Sequence, residues 1–190
     1  MIQVKFKQLM EIKQAKLVGL IMLVDMEEKR QLIVVTDHPT SMYISATSEA
    51  KRHSQARSKF FERSALYAAV SLLPDEMRKL MYVHVDGLFG GQYQAQLIRR
   101  NADINEEPHL LRMSEAVLLS IVSDIPMYID DHLWRIQSTV YKKNSSETSI
   151  PMNTLPLDML KEALRQAIDK EEYETAKLLN DEIHNRFPEE

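Results

Sequence analysis

The sequence predicts an α+β fold, with a hairpin-rich mixed sheet packed with helices and followed by a C-terminal α-helical hairpin. Three observations lead to this prediction. Several short runs of apolar or β-branched residues end at turn-forming residues, as strands do. Longer stretches without Gly or Pro carry apolar residues at three- and four-residue steps, as helices do. Two further short amphipathic helices close the chain after a polar stretch.

The first 45 residues predict strands. Residues 4–10 alternate in part between apolar and polar side chains, which is typical of a half-buried strand. Residues 16–25 form a nearly continuous apolar run, as in a central strand, and residues 31–36 are rich in β-branched side chains. A polar turn separates these two runs, so they predict a hairpin. Pro39 is expected to end it, and residues 42–45 again resemble a strand.

The middle of the chain alternates between helices and strands. Residues 47–73 lack Gly and Pro and predict one long helix, or two with a break near Ser58, starting at Thr47 or Ser48. A short helical turn after Pro74 precedes a second hairpin over residues 81–100, whose turn is Gly90-Gly91. A helix is expected to begin at Ser114, and residues 127–129 predict a short strand. Asp130 and Asp131 are suited to start the next helix.

Composition narrows the function classes. The chain has no Cys, so thiolate catalysis, disulfides and Cys-ligated zinc are excluded. The longest apolar run, residues 17–24, is too short to span a bilayer, and the first ten residues lack a signal-peptide core, so a cytoplasmic protein is expected. Net charge is −4, and neither half of the molecule carries the strong positive field of a dedicated nucleic-acid binder.

The sequence divides at a polar, Ser- and Thr-rich segment without periodicity. We expect one domain over residues 1–141, a linker over 142–153 and a helical hairpin over 154–188. The two helices of the hairpin are too short to be stable alone, so their apolar faces need a partner surface. That surface is either the other helix, the preceding domain, a second copy of the chain or another protein.

The hairpin resembles the UVR motif of the repair proteins UvrB and UvrC and of some protease adaptors. The similarity rests on residues of its second half, in the order and spacing of the family: Ala167, Ile168, Glu171, Tyr173, Glu174, Ala176, Leu179, Asp181, Glu182 and Ile183. Asn180 stands where the family usually has Arg. The resemblance implies docking of a protein partner, with Tyr173, Ala176, Leu179 and Ile183 as the partner-binding residues.

The larger domain resembles the bifunctional nuclease family. That family has an aromatic-x-Ala-x-Leu strand, then Arg-Pro-Ser-Asp-Ala-Ile at a helix start, then a small-Pro-Ile-Tyr-Val strand. This chain has residues 93–97, then Arg112-Met113-Ser114-Glu115-Ala116-Val117, then residues 125–129. Family members often carry a C-terminal UVR hairpin, so the two resemblances support each other. Together they imply a DNase or RNase that hydrolyses phosphodiester bonds. Such hydrolysis usually needs a divalent metal such as Mg²⁺ or Mn²⁺, a general base, or both.

Candidate catalytic residues fall into three groups. Arg112, Ser114 and Glu115 surround a predicted helix N-terminus, which favours a phosphate. His84 and Asp86 stand two apart on one strand face, where they suit acid–base or metal chemistry. Asp131 belongs to an acidic cluster before His132.

Each group also has a structural explanation. Ser114 and Glu115 are good helix-start residues, and the two aspartates before His132 suit a helix cap. His84 fits the solvent side of a hairpin.

The best nucleic-acid patch is basic and lies on the predicted long helix. Its cations are Lys51, Arg52, Arg57, Lys59 and Arg63. Five cations beside Phe60 and Phe61 suit a phosphate backbone, although a solvated helix face over two core phenylalanines is the commoner arrangement. The patch would bind DNA or RNA.

Two functions are therefore expected from the sequence. One is a nuclease of the bifunctional nuclease family with a UVR hairpin for protein docking. The other is a non-catalytic, homo-oligomeric adaptor.

Overall fold

The computed structural model describes residues 1–11, 18–52, 65–100, 107–143 and 150–187. Eight strands of these residues form one sheet in the order β6-β5-β4-β7-β1-β2-β3-β8. Neighbouring strands are antiparallel except β4 and β7, which are parallel, so the sheet is mixed. The strands are β1 (Ile2–Glu11), β2 (Val18–Asp25), β3 (Arg30–Asp37), β4 (Met81–Phe89), β5 (Gln92–Arg99), β6 (His109–Arg112), β7 (Met127–Ile129) and β8 (Thr139–Val140).

Within the described residues, five helices accompany the sheet and two form a C-terminal hairpin. Those with the sheet are α1 (His38–Arg52), α2 (Ala65–Ser71), α3 (Asp75–Lys79), α4 (Met113–Ser123) and α5 (Asp131–Gln137). The hairpin consists of α6 (Leu157–Asp169) and α7 (Tyr173–Arg186), preceded by one 3-10 turn at Met152–Thr154. The α+β prediction, with its terminal helical hairpin, is confirmed.

The main core lies between one sheet face and α1, α4 and α5. Val83 and Val85 of β4 pack there with Ala116 and Val117 of α4, and all four side chains are essentially inaccessible to solvent. Helix α4 contacts both β3 and β5, which lie far apart in the strand order. The sheet therefore brings strands from its two halves against the same helix.

A second apolar cluster covers the opposite face of β2 and β3. Leu20, Met22, Val24 and Ile33 are buried there, with Tyr141 and Ile150 packed on them. Burial on both faces explains why these strands have nearly continuous apolar sequences rather than an alternating pattern.

The start of α1 differs from the sequence prediction. Residues 42–45 were expected to be a strand and Thr47 or Ser48 to begin a helix, whereas α1 already begins at His38. Asp37 caps it, because its Oδ1 accepts the Thr40 backbone N–H at 2.8 Å. Pro39 stands in the first helical turn, where its missing N–H has no consequence. Thr47 lies in the middle of α1 and is buried, and its hydroxyl donates a hydrogen bond to the Tyr43 backbone carbonyl.

Two strands were not predicted. β6 has four residues and β8 has two, so neither is long enough to show a clear period in the sequence. β6 pairs with the outer edge of β5, and Gln94 lies opposite Arg112. This pairing places Arg112 directly before the first residue of α4.

The C-terminal hairpin buries its faces mainly between its own two helices. Leu160 and Ala167 of α6 pack with Ala176 and Leu179 of α7, and the Leu160 side chain is fully buried. The elbow after Asp169 contains Glu171 with φ 61°, a left-handed residue that reverses the chain. Of the partner surfaces considered, the other helix is therefore the main one.

Candidate functional site

A cleft of about 780 Å³ lies between the sheet domain and the C-terminal hairpin. Its walls come from the end of β3, the β4–β5 turn, the start of α4, the start of α6 and the end of α7. This volume is within the usual range of small-molecule sites. We refer to this space as the hairpin cleft.

The start of α4 supplies two of the predicted catalytic residues. Arg112 and Ser114 both line the hairpin cleft. Arg112 is the residue before α4, with extended backbone angles, and its side chain is exposed. Ser114 lies in the first turn of α4, where backbone N–H groups have no helical acceptor. A cation, a hydroxyl and a helix N-terminus therefore meet at one wall.

Glu115 completes this helix start in a different way. Its Oε2 accepts the backbone N–H of Arg112 at 3.2 Å, which is half of a capping box. The structural explanation for Glu115 is thus confirmed. Its carboxylate remains exposed and next to Arg112.

Asp37 brings a carboxylate to the same cleft. One of its oxygens accepts the Thr40 N–H and the other accepts the Thr40 hydroxyl at 3.1 Å. Both oxygens are thus engaged in capping α1. Asp37 belongs to the structural support of the cleft wall.

Arg186, from the last turn of α7, lines the opposite wall. Its Nη1 donates to the Leu155 carbonyl at 2.8 Å and lies 3.4 Å from the Asn153 carbonyl, while its Nη2 lies 3.4 Å from the Gly90 carbonyl. The side chain is 12% exposed. The hairpin therefore contributes a buried cation to a cleft that otherwise belongs largely to the sheet domain.

The β4–β5 turn is shaped to accept this arginine. Gly90 and Gly91 have φ 56° and 78°, which favour glycine in a tight hairpin turn. A Cβ at Gly91 would overlap the Arg186 guanidinium, whereas a Cβ at Gly90 would meet nothing within 4 Å. Gly91 is needed for the close approach of Arg186 as well as for the turn.

Sequence reasoning missed Arg186, Gly91 and Asp37. Gly90-Gly91 was interpreted as a turn and Asp37 as the end of a strand. Arg186 had no distinguishing signal, because a basic residue in a last helical turn ordinarily complements the helix dipole. Only the packing of the hairpin against the sheet domain shows that these residues share a cleft.

His84 and Asp86 do not line the hairpin cleft. They lie on the face of β4 opposite to the core residues Val83 and Val85. The Asp86 carboxylate accepts a hydrogen bond from the side-chain amide of Gln96 at 2.8 Å. Gln96 lies opposite His84 on the neighbouring strand β5. His84 Nε2 is buried and has no hydrogen-bond partner among the described residues.

Asp131 lies at a third place, the first turn of α5. It forms an ion pair with the Met1 ammonium, and both groups are about half exposed. Its neighbour Asp130 caps α5, because its Oδ1 accepts the His132 N–H at 2.8 Å and the Leu133 N–H at 3.3 Å. These two backbone hydrogen bonds lower the pKa of Asp130. The cap explanation is confirmed for Asp130.

A three-ligand metal centre is not assembled by the described residues. Across these five segments, no group of three or more His, Asp or Glu side chains is placed to hold a metal ion. Asp37, Glu115, Asp86 and Asp131 each engage a different partner instead. The predicted Mg²⁺ or Mn²⁺ therefore has no chelating cage there, and we derive no catalytic step through a metal.

The predicted partner-binding residues separate into two groups. Ala176 and Leu179 are buried within the hairpin, and Ile183 packs against the same cluster. Tyr173 is 69% exposed, and Ile168 and Leu178 are also more than half exposed. Partner contact in this conformation would fall to Tyr173 and these two neighbours.

The predicted basic patch is largely outside the described residues. This applies to Arg57, Lys59 and Arg63. Lys51 and Arg52 are the last two residues of α1. The patch remains a prediction.

A second cleft, of about 410 Å³, includes Lys5 and Lys7 of β1. Glu28 pairs with both lysines at 2.9 and 2.7 Å. The hydrogen bonds from Lys7 and Lys5 lower the pKa of Glu28 to about 2, so it is ionised at neutral pH. Its single charge offsets one of the two lysine charges.

Comparison with known proteins gave no match, either to a family model or to a curated protein. Among the helices of the described segments, none combines the length and apolar character that crossing a membrane requires. The hairpin cleft is lined by Arg112 at the start of α4 and by Arg186 at the end of α7.

Proposed function

We propose that the protein is a nuclease that binds and hydrolyses a phosphodiester of DNA or RNA in the hairpin cleft. The observation that carries this proposal is that Arg112 and Ser114 line one cleft at the start of α4. Both residues belong to the segment that resembles the bifunctional nuclease family. The proposal also places the protein in the cytoplasm.

The start of α4 has the groups that a phosphate needs. The backbone N–H groups of a first helical turn and the positive end of the helix dipole attract an anion. The planar guanidinium of Arg112 can donate two parallel hydrogen bonds to two phosphate oxygens. The Ser114 hydroxyl can donate a further one. These groups position the phosphodiester and stabilise charge on its oxygens as the reaction proceeds.

Hydrolysis also needs a water and a proton acceptor. A bond forms between the water oxygen and phosphorus, and the bond from phosphorus to the leaving oxygen breaks. In our proposal the water proton passes to the free oxygen of the Glu115 carboxylate, and the leaving oxygen then takes up a proton. Glu115 does not line the cleft itself, and it is assigned this role because its carboxylate is anchored beside Arg112 through the Arg112 backbone N–H.

Fluorescently labelled single-stranded DNA and RNA, incubated with Mg²⁺ or Mn²⁺, test the activity. We expect Arg112→Ala with Glu115→Ala to lower the cleavage rate at least about a hundredfold, the scale of losing a charge-stabilising group. A matched control is Glu162→Ala with Arg165→Ala, because that pair also stands three residues apart but lies exposed on α6. Equal rates for the wild type and both double variants would refute the proposal.

An interaction function is the second candidate, and one observation favours it. Ile168, Tyr173 and Leu178 are 53%, 69% and 58% exposed on the C-terminal hairpin. We propose that this surface contacts a second copy of the chain or another protein partner. Sedimentation velocity tests the first case: Ile168→Glu with Tyr173→Glu should convert a wild-type oligomer to monomer. A wild type that sediments as a monomer at all concentrations would rule out self-association.

A further inference from the structure

We propose that Arg186 of the C-terminal hairpin is a second phosphate-binding residue of the hairpin cleft, so that the hairpin completes a site begun by the sheet domain. This inference rests on the proposed function, since it concerns the same ligand. It gives the hairpin a direct part in the site in addition to any docking of partners.

Arg186 differs from the other arginine of the hairpin in burial. Its side chain is 12% exposed, whereas that of Arg165 is 71% exposed and pairs with Glu162 on the surface. Removing a guanidinium from water is unfavourable unless hydrogen bonds and an opposite charge compensate for it. A buried arginine at a cleft wall therefore calls for acceptors.

The acceptors present satisfy Arg186 in part. Its terminal nitrogens reach the carbonyls of Leu155, Asn153 and Gly90, which are neutral. The nearest carboxylate oxygen, on Glu182, is 3.8 Å from Nη1, which is longer than a hydrogen bond. Nε is buried and has no acceptor among the described residues. The guanidinium thus has Glu182 at ion-pair distance and retains one unused donor, Nε–H.

The remainder of the cleft favours an anion as the missing acceptor. Arg112 contributes a second guanidinium from the start of α4. Among the described residues that line the cleft, only Asp37 carries a carboxylate, and both of its oxygens cap α1. Two guanidinium groups thus line the cleft with one engaged carboxylate, while the carboxylates of Glu115 and Glu182 lie beside Arg112 and Arg186 outside the lining. A phosphodiester carries one negative charge and two non-bridging oxygens, which are acceptors of the kind that guanidinium groups bind.

A purely structural role is the competing explanation for Arg186. The same hydrogen bonds that orient it also join the start of α6 to the β4–β5 turn. A structural clamp would affect stability but would leave the salt dependence of nucleic-acid binding unchanged. A phosphate contact changes that dependence, because each contact on a single strand contributes about 0.7 to the slope of log affinity against log salt.

Fluorescence anisotropy with a labelled twelve-residue oligo(dT), between 50 and 200 mM NaCl, separates the two roles. We expect Arg112→Gln and Arg186→Gln each to weaken binding about tenfold and to reduce the salt slope by about 0.7. Arg165→Gln, the matched exposed arginine, should bind like the wild type. Arg186→Lys keeps the charge and should keep the wild-type slope.

Other outcomes distinguish this inference from the proposed function. If Arg112→Gln weakens binding and Arg186→Gln does not, the inference fails and the proposed function stands. If the wild type does not bind, or Arg112→Gln binds like the wild type, the proposed function fails and the inference fails with it. Lower stability of Arg186→Gln with an unchanged salt slope would identify Arg186 as a clamp only.

A measurement on the wild type covers the case in which Arg186→Gln does not fold. The buried Nε–H of Arg186 gives its own signal in a ¹⁵N-correlated NMR spectrum, assigned by its loss in Arg186→Lys. Titration with oligo(dT) should shift this signal with the same midpoint as the anisotropy change. A signal that does not move while the oligonucleotide binds would overturn the inference.

Discussion

The contact between Arg186 and the β4–β5 turn can be disrupted without mutating either arginine. Gly90 and Gly91 are adjacent, and both have positive φ. A Cβ at Gly91 overlaps the Arg186 guanidinium, while a Cβ at Gly90 enters open space. Gly91→Ala and Gly90→Ala therefore form a matched pair that differs in one contact. We expect Gly91→Ala to be the more destabilising of the two.

The size of the difference follows from what each substitution removes. Placing Ala in a left-handed conformation costs about 1–2 kcal/mol, and both variants share this cost. In Gly91→Ala the guanidinium must also move away from the Leu155 and Gly90 carbonyls, and hydrogen bonds from a charged group contribute about 1.5–3 kcal/mol. For a chain of this size, the extra loss lowers Tm by roughly 5–10 °C.

Thermal unfolding followed by circular dichroism measures this difference. The same pair in an Arg186→Gln background forms a double-mutant cycle. Without the guanidinium, Gly91→Ala should be no more destabilising than Gly90→Ala. Equal Tm values for the two variants in the wild-type background would refute the close packing of the hairpin on the turn. A difference that persists in Arg186→Gln would show that another neighbour of Gly91 is responsible.

Three further predictions concern stability. Glu28→Gln should lower Tm at pH 7, because the ionised carboxylate pairs with the lysines of β1. These lysines hold the folded-state pKa of Glu28 near 2, and Glu28 stabilises the fold only while it is ionised. The Tm difference from wild type should therefore disappear as pH falls from 4.5 towards 2. Leu160→Ala should reduce the free energy of unfolding by about 2–5 kcal/mol in urea denaturation, whereas the exposed Leu178→Ala should change it by less than about 0.5 kcal/mol. In the same assay, Asp130→Ala should reduce the free energy of unfolding by about 1 kcal/mol, because Asp130 caps α5. Asp131→Ala should reduce it by less, because Asp131 forms an exposed ion pair. A flat pH profile, or equal losses within either pair, would contradict the corresponding contact.

The sequence predicted elements well wherever local chemistry and tertiary packing agree. The Gly90-Gly91 turn, the hairpin it joins and the helix near Ser114 all carry strong local signals, and the structure confirms them. Asp37 is a case in which the local sequence does not decide. An Asp followed by a Pro two residues later is equally compatible with the end of a strand and with the cap of a helix. The choice depends on α1 packing against β2 and β3, which local sequence does not report.

The candidate site was predictable only in part. Arg112 and Ser114 share a cleft because they are neighbours at one helix start, and short spacing is visible in sequence. His84, Asp86 and Asp131 lie elsewhere because strand register and helix placement decide their positions. Arg186 enters the site from the far end of the chain, through a long-range contact with Gly91 that no local pattern encodes.

Both proposals require that the hairpin cleft binds a phosphate group. A crystal structure of the protein with a phosphorylated dithymidine tests this claim most directly. We predict a phosphate against the first turn of α4, with Arg112 on one side and Arg186 on the other. A dinucleotide bound on another surface, with the hairpin cleft empty, would contradict the account.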